Sequence, residues 1–127
     1  MKILGIGVDL ILKKKLKILI NNKNFINRKF RKKEINFSKK KNNRLNYFAK
    51  RFAAKESFSK SLGTGIGEKL KFKDIEILND KKGKPFYFKN KTINTLIYKR
   101  FKVKRYNLFL SISDEKDYSI AFTIIQK

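Results

Sequence analysis

Apolar positions change period along the chain, and each change marks an element. From Ile3 to Val8 small and large apolar residues run without a polar break, which predicts a short buried strand over residues 2–8 that stops at Asp9. Leu10, Leu12, Leu16, Leu19 and Ile20 then recur among lysines at roughly helical spacing. They predict a helix over about residues 10–20, with Asp9 as its N-cap. Residues 21–43 are polar, basic and weakly patterned, and predict a loop with helical turns near 25–30 and 34–37. The strongest helical pattern covers 45–62, where Leu45, Phe48, Ala49, Phe52 and Ala53 share one stripe and Gly63-Thr64-Gly65-Ile66-Gly67 ends it.

Beyond the glycines, Phe72, Ile75 and Ile77 tend toward a strand over 70–78. Residues 79–84 make a turn through Asp80 and Gly83, and a strand resumes at Pro85, where proline is tolerated. A helix is expected over 92–101. Residues 106–113 and 118–125 form an apolar hairpin around Asp114-Glu115-Lys116-Asp117. The fold class expected is α+β: a mainly antiparallel sheet packed against one long central helix, with residues 1–127 as a single domain.

Composition narrows the chemistry. Cysteine and histidine are both absent, so a disulfide framework, a thiolate metal site and an imidazole base are excluded. Acid–base or metal work must fall to Asp, Glu, Lys, Tyr or water. No apolar run is long enough to span a membrane, and the start is too soon interrupted by Asp9 for a signal peptide, so a cytoplasmic, reduced setting is expected. The net charge of +24 calls for an anionic partner. Part of it has another source: Lys, Asn, Ile and Phe are over-used even in stretches such as Ile20–Phe25, and AT-rich codons specify all four.

Three features can carry chemistry. Glu56 falls within the apolar arc of the 45–62 helix, where an unpaired charge is costly, and Lys60 follows one turn later. An ordinary (i, i+4) ion pair explains this as well as a carboxylate and lysine held in a cleft does. Asp9 at the end of a buried strand is either a plain N-cap or a second carboxylate that joins Glu56 on a hard cation. The Gly63–Gly67 run permits close approach of backbone N–H groups to phosphate, although a helix C-cap accounts for one glycine and the run lacks the lysine-serine ending of a Walker loop.

Together the blocks resemble the holo-acyl-carrier-protein synthases, small phosphopantetheinyl transferases. The opening Ile3-Leu4-Gly5-Ile6-Gly7-Val8-Asp9 is similar to that family's first strand, and Arg51-Phe52-Ala53-Ala54-Lys55-Glu56-Ser57-Phe58-Ser59-Lys60-Ser61-Leu62-Gly63-Thr64-Gly65-Ile66 to its signature. Phe72-Lys73-Asp74-Ile75-Glu76-Ile77, Gly83-Lys84-Pro85, Leu110-Ser111-Ile112-Ser113-Asp114 and Tyr118-Ser119-Ile120-Ala121 follow in the family order. The resemblance implies transfer of 4′-phosphopantetheine from coenzyme A to a serine of an acidic acyl carrier protein for fatty acid biosynthesis, with Mg²⁺ as cofactor and adenosine 3′,5′-bisphosphate as product. It implies Asp9 and Glu56 as metal ligands and, with Lys60, as the catalytic group. Lys60, Gly63, Thr64 and Gly65 lie toward the coenzyme A phosphates, and Arg51, Gly83, Lys84 and Pro85 toward its nucleotide. Lys13, Lys14, Lys15 and Lys17 are the carrier-docking candidates, and the assembly implied is a homotrimer with sites between subunits. Departures from the family pattern are Lys15 in place of an arginine, Leu12 near a usual glutamate and Phe109 in place of a histidine. The competing expectation is a basic nucleic-acid-binding protein, for which Glu56 and Asp9 have no use. Nucleic acid and membrane are therefore not expected partners. A catalytically decayed remnant is the third alternative.

Overall fold

The computed structural model describes residues 1–63 and 70–127. Thr64 and Gly65 of the proposed phosphate segment lie outside these residues. The observed class is α+β. Strand β1 (Ile3–Leu12) pairs antiparallel with β5 (Tyr118–Gln126), which pairs on its other edge with β4 (Asn107–Asp114), so β5 is the central strand. A second, short hairpin joins β2 (Ile77–Asn79) to β3 (Pro85–Tyr87). The helices are α1 (Lys13–Leu19), α2 (Lys23–Lys29), α3 (Lys32–Ser38), α4 (Arg44–Leu62) and α5 (Lys91–Phe101), with a 3-10 turn at Phe72–Asp74.

Helix α4 lies across β1 and β5, and two glycines make this possible. A Cβ built on Gly5 would sit 2.0 Å from the Ser61 carbonyl oxygen, and one on Gly7 would sit 1.8 Å from that of Ser57. Both oxygens are helix backbone and cannot step aside. Gly5, Gly7 and Asp9 alternate onto this inner face, since successive strand residues point to opposite sides.

Helix α4 is buried on more than one side. Ala53, Ala54, Phe58 and Leu62 enter a core with Ile93, Ile97, Ala121 and Ile125. Tyr47, Phe48 and Ala49 enter a second core with Leu16, Phe25, Ile26 and Phe30. The single stripe expected from the sequence therefore covers only part of its contact surface. Where α4 crosses β3 and β5, polar groups satisfy one another: the Ser57 hydroxyl lies 2.6 Å from that of Thr123, and Tyr87 donates to the Ala54 carbonyl at 2.6 Å.

Three asparagines from the lysine- and asparagine-rich stretches have structural work. Asn22, Asn43 and Asn90 are the N-caps of α2, α4 and α5, each accepting from backbone N–H groups of the first turn. The expected cap at Asp9 is corrected. The β1–β5 ladder runs on to Leu12 opposite Tyr118, so residues 10–12 hydrogen-bond to the sheet and α1 starts at Lys13 without a side-chain cap. Asp9 is a mid-strand residue opposite Ala121. The 70–78 segment likewise divides into a 3-10 turn and the three-residue β2. The tight turn holds Phe72 in the core, with Asp74 accepting from the Lys71 N–H.

Replacing Gly7 by alanine is expected to destabilise the fold by at least about 2–3 kcal/mol, the scale of overpacking against immobile atoms. Chemical denaturation of the two proteins measures the difference. A variant as stable as the parent would mean that α4 and β1 do not approach this closely.

Candidate active site

Asp9 on β1 and Glu56 and Lys60 on consecutive turns of α4 come together where the glycine-lined contact ends. The Lys60 ammonium donates to Asp9 Oδ1 at 3.0 Å, not to Glu56, so the simple (i, i+4) pair is not formed. Asp9 Oδ2 is buried and has no hydrogen-bond partner among the described residues. Burial raises the Glu56 carboxyl above the usual carboxylate range and the negative charge of Asp9 adds to this, while Lys60 and Lys29 pull the other way.

A half-buried glutamate beside a second carboxylate that has an orphaned oxygen is a poor structural choice in an apolar setting. The two fit a hard cation, which accepts one or two carboxylates and completes its shell from water and phosphate. No cluster of three or more Asp, Glu, His or Cys exists among the described residues, so the protein alone would not form a full cage. That suits a cation shared with a phosphorylated substrate. The chain has only ten acidic residues. Glu34, Asp74, Glu76, Asp80 and Asp114 accept structural hydrogen bonds.

Lys55, next to Glu56, is fully buried and is not among the candidates read from the sequence. Its ammonium donates to Glu34 Oε1 at 2.7 Å and to the carbonyls of Lys29 and Phe72, each at 3.0 Å. Those three acceptors match its three N–H donors. Burial pushes its pKa down to about 8, against the pull of Glu34. Glu34 in turn accepts from the Arg31 N–H and so caps α3. The sequence signal for this hub was an acidic residue at the third position of a short helix, together with a lysine in a helix otherwise destined for the core.

The nucleotide-side candidates gather on the other side of this pair. Arg51 is 6 % exposed, lies over the Tyr47 ring at 4.2 Å and donates to Asn79 Oδ1 at 2.6 Å. Asn79 donates onward to the Gly83 carbonyl at 2.9 Å and pairs with Pro85 across the β2–β3 hairpin. Gly83 has φ +86°, a left-handed conformation that favours glycine, and Asp80 Oδ1 accepts from the Lys84 N–H to close the turn. Arg51 and Asn79 line a cavity of about 260 Å³ with Arg31, Phe37, Tyr47 and Leu78. Asn79, the link in this chain, was not apparent from the sequence, because its side chain is required only once the hairpin meets α4.

Gly63 ends α4 with φ +78°, and its N–H donates to the Lys60 carbonyl at 3.0 Å. Of the lysines expected to dock a carrier, Lys14, Lys15 and Lys17 are exposed. Lys13 is not available to a partner: it is 5 % exposed, pairs with Asp114 at 2.8 Å and donates to the Glu115 carbonyl. As the first residue of α1 it turns back onto the β4–β5 turn, where the carboxylate compensates its burial.

Comparison with known proteins identifies the family. The model of the 4′-phosphopantetheinyl transferase superfamily matches residues 5–123. The holo-[acyl-carrier-protein] synthase of Pelagibacter ubique (strain HTCC1062) is 51 % identical over 127 residues, which cover 100 % of this chain and 99 % of that protein. The crystal structure of holo-[acyl-carrier-protein] synthase from Neisseria meningitidis superposes with a TM-score of 0.88 at 34 % identity, covering 99 % of this chain and 100 % of that one. That of the Bacillus anthracis synthase in complex with CoA (3′,5′-ADP) gives 0.82 at 31 % identity, covering 98 % and 97 %. A match along almost the whole chain, in sequence and in fold, places this protein in the 4′-phosphopantetheinyl transferase superfamily.

Proposed function

We propose that the protein moves the 4′-phosphopantetheine group of coenzyme A onto a serine of an apo-acyl carrier protein, releasing adenosine 3′,5′-bisphosphate. The observation that carries this is the Asp9–Glu56–Lys60 cluster with its unpartnered Asp9 oxygen at the end of α4. Asp9 and Glu56 would hold the cation, with Mg²⁺ suited to the oxygen-only donor set. When bound, such an ion neutralises phosphate oxygens and the charge gained by the leaving group.

The chain's own groups have distinct parts. Lys60, 54 % exposed, offers its ammonium to a phosphate oxygen once substrate competes with Asp9. Glu56 takes the serine proton, directly or through water. The cavity at Arg51 and Asn79 receives the nucleotide end, with Gly83, Lys84 and Pro85 in the β2–β3 hairpin that Asn79 belongs to and Gly63 leading into the phosphate segment. Lys14, Lys15 and Lys17 meet the acidic carrier.

The assembly proposed is a homotrimer with sites between subunits. Its support is the outer face of the sheet, where Ile6, Val8, Leu10, Phe109, Ile120 and Phe122 are all exposed on one side. Such a contiguous apolar face is best explained by a covering subunit. Among the described residues no helix is long and apolar enough to cross a membrane, which supports a cytoplasmic location.

Mass spectrometry of an apo carrier protein incubated with this protein, coenzyme A and Mg²⁺ tests the activity. The expected result is a gain of one phosphopantetheine, abolished by a chelator. Glu56→Gln is expected to lower turnover by at least about a hundredfold, the scale of losing general-base catalysis, with unchanged thermal unfolding. A near-parental rate would remove Glu56 from the chemistry. Lys60→Ala should weaken coenzyme A binding by about tenfold while sparing the KM for carrier, and calorimetry alongside steady-state kinetics separates the two. Reversing charge at Lys14 and Lys17 should raise the KM for carrier alone, more steeply at low salt. A carrier KM unaffected by both reversals would put docking on another surface.

A further inference from the structure

Helix α1 has seven residues, too few to hold a helix in water unaided. It opens on Lys13, Lys14 and Lys15, and positive charge at a helix N-terminus opposes the dipole. Leu12 supplies no side-chain cap, and no acidic residue stands in the first turn. Only Lys13 and Leu16 are buried. Leu16 enters the core that contains Phe25, Ile26 and Phe48. One apolar contact fixes a point on a helix but not its direction, so the second point must come from Lys13.

That second point is the β4–β5 turn. The Lys13 ammonium lies 2.8 Å from Asp114 Oδ1 and donates to the Glu115 carbonyl, while the Lys13 backbone N–H donates to the Asp117 carbonyl at 2.9 Å. Asp114 is itself held in place, because the Ser119 hydroxyl donates to the same Oδ1 at 2.6 Å. Ser119 is buried and stands opposite Asp114 in the β4–β5 ladder. The Glu115 N–H donates to the Tyr118 carbonyl at 2.7 Å and closes the turn. The anchor of α1 is therefore part of the three-stranded sheet. Lys14, Lys15 and Lys17 take no share in it and stay exposed.

We infer that Lys13 and Asp114 are positioning residues for the carrier protein: their ion pair sets the direction of α1, and so the place at which Lys14, Lys15 and Lys17 present their charges, without touching the carrier. This rests on the transferase reading above and on its assignment of carrier docking to α1. The same sheet holds Asp9, four residues before Lys13 on the strand that leads into α1. Pinning α1 to the sheet fixes the docking lysines relative to the candidate site, and a serine that must arrive in reacting geometry requires this.

Direct contact and positioning make opposite demands on Asp114. Were Lys13 itself a docking cation, removing the Asp114 charge would free it and strengthen binding of an acidic carrier. Under positioning, the same change weakens binding. Steady-state kinetics with an apo-acyl carrier protein, coenzyme A and Mg²⁺ compares the parent with Lys13→Met, Asp114→Asn, the double variant and Lys13→Arg. Each of the first two is expected to raise the KM for carrier about tenfold, within the range of coupling between paired side chains. The double variant should be no worse than either, and Lys13→Arg should stay within about threefold of the parent. Calorimetry should find coenzyme A affinity unchanged throughout. A lower carrier KM in Asp114→Asn would overturn the inference, as would a carrier KM unmoved in both single variants. Parallel loss of coenzyme A affinity would also overturn it, by making the pair a general support of the fold. Should Lys13→Met not fold, Asp114→Asn, which alters the more exposed partner, carries the test. A parent protein that modifies no apo carrier overturns the transferase reading itself, and one whose carrier KM ignores charge reversal at Lys14 and Lys17 overturns docking on α1; both are read on the parent and the α1 lysines, apart from the Lys13 and Asp114 variants.

Discussion

The structure depends on how closely α4 can lie against β1. Helix backbone and strand backbone meet where Gly5 and Gly7 face Ser61 and Ser57, and any side chain at either position would overlap carbonyl oxygen. Alternation along the strand then sets Asp9 two residues beyond Gly7 on the same face. The helical repeat sets Glu56 and Lys60 on one face, beside Ser57. The contact that brings the backbones together therefore also brings a strand carboxylate within 3.0 Å of a helix ammonium. The site is a continuation of the core contact, which gives it the rigidity that positioned catalytic groups need.

A second constraint is the buried Lys55–Glu34 pair. Removing either partner would leave a charge in an apolar interior, a loss of about 3–5 kcal/mol. The pair is tolerated because every donor of Lys55 is used and Glu34 also caps α3. It stands between two concave surfaces: Arg51, Tyr47 and Asn79 line a cavity on one side, and Lys29 and Phe72 line a groove on the other. An ion pair with this many connections fixes the relation of α2, α3 and the 3-10 turn to α4, so its value lies in geometry more than in net stability.

Charge acts at two ranges. The excess of lysine gives a general attraction for acidic partners that salt weakens. At the site the cation that matters is individually held, Lys60 by Asp9. Lys13 shows that position in a basic run does not guarantee exposure, since it is consumed by Asp114. The asparagines make the same point in reverse. Base composition can account for their number, yet Asn22, Asn43 and Asn90 each begin a helix.

The sequence by itself determined the class, the long helix with its glycine end and the closing hairpin. Those follow from local periodicity and from motifs whose members lie within a few residues of each other. Tertiary structure decided where β1 ends, because Leu10–Leu12 suit a helix or a strand and only the partner strand β5 selects the latter. It also decided that Lys60 bonds Asp9 and not Glu56, that Glu34 answers Lys55 across 21 residues, and that Asn79 joins Arg51 to Gly83. Contacts of this kind are fixed by which backbones can approach and which buried charges must be satisfied, and neither quantity has a local signature in the chain.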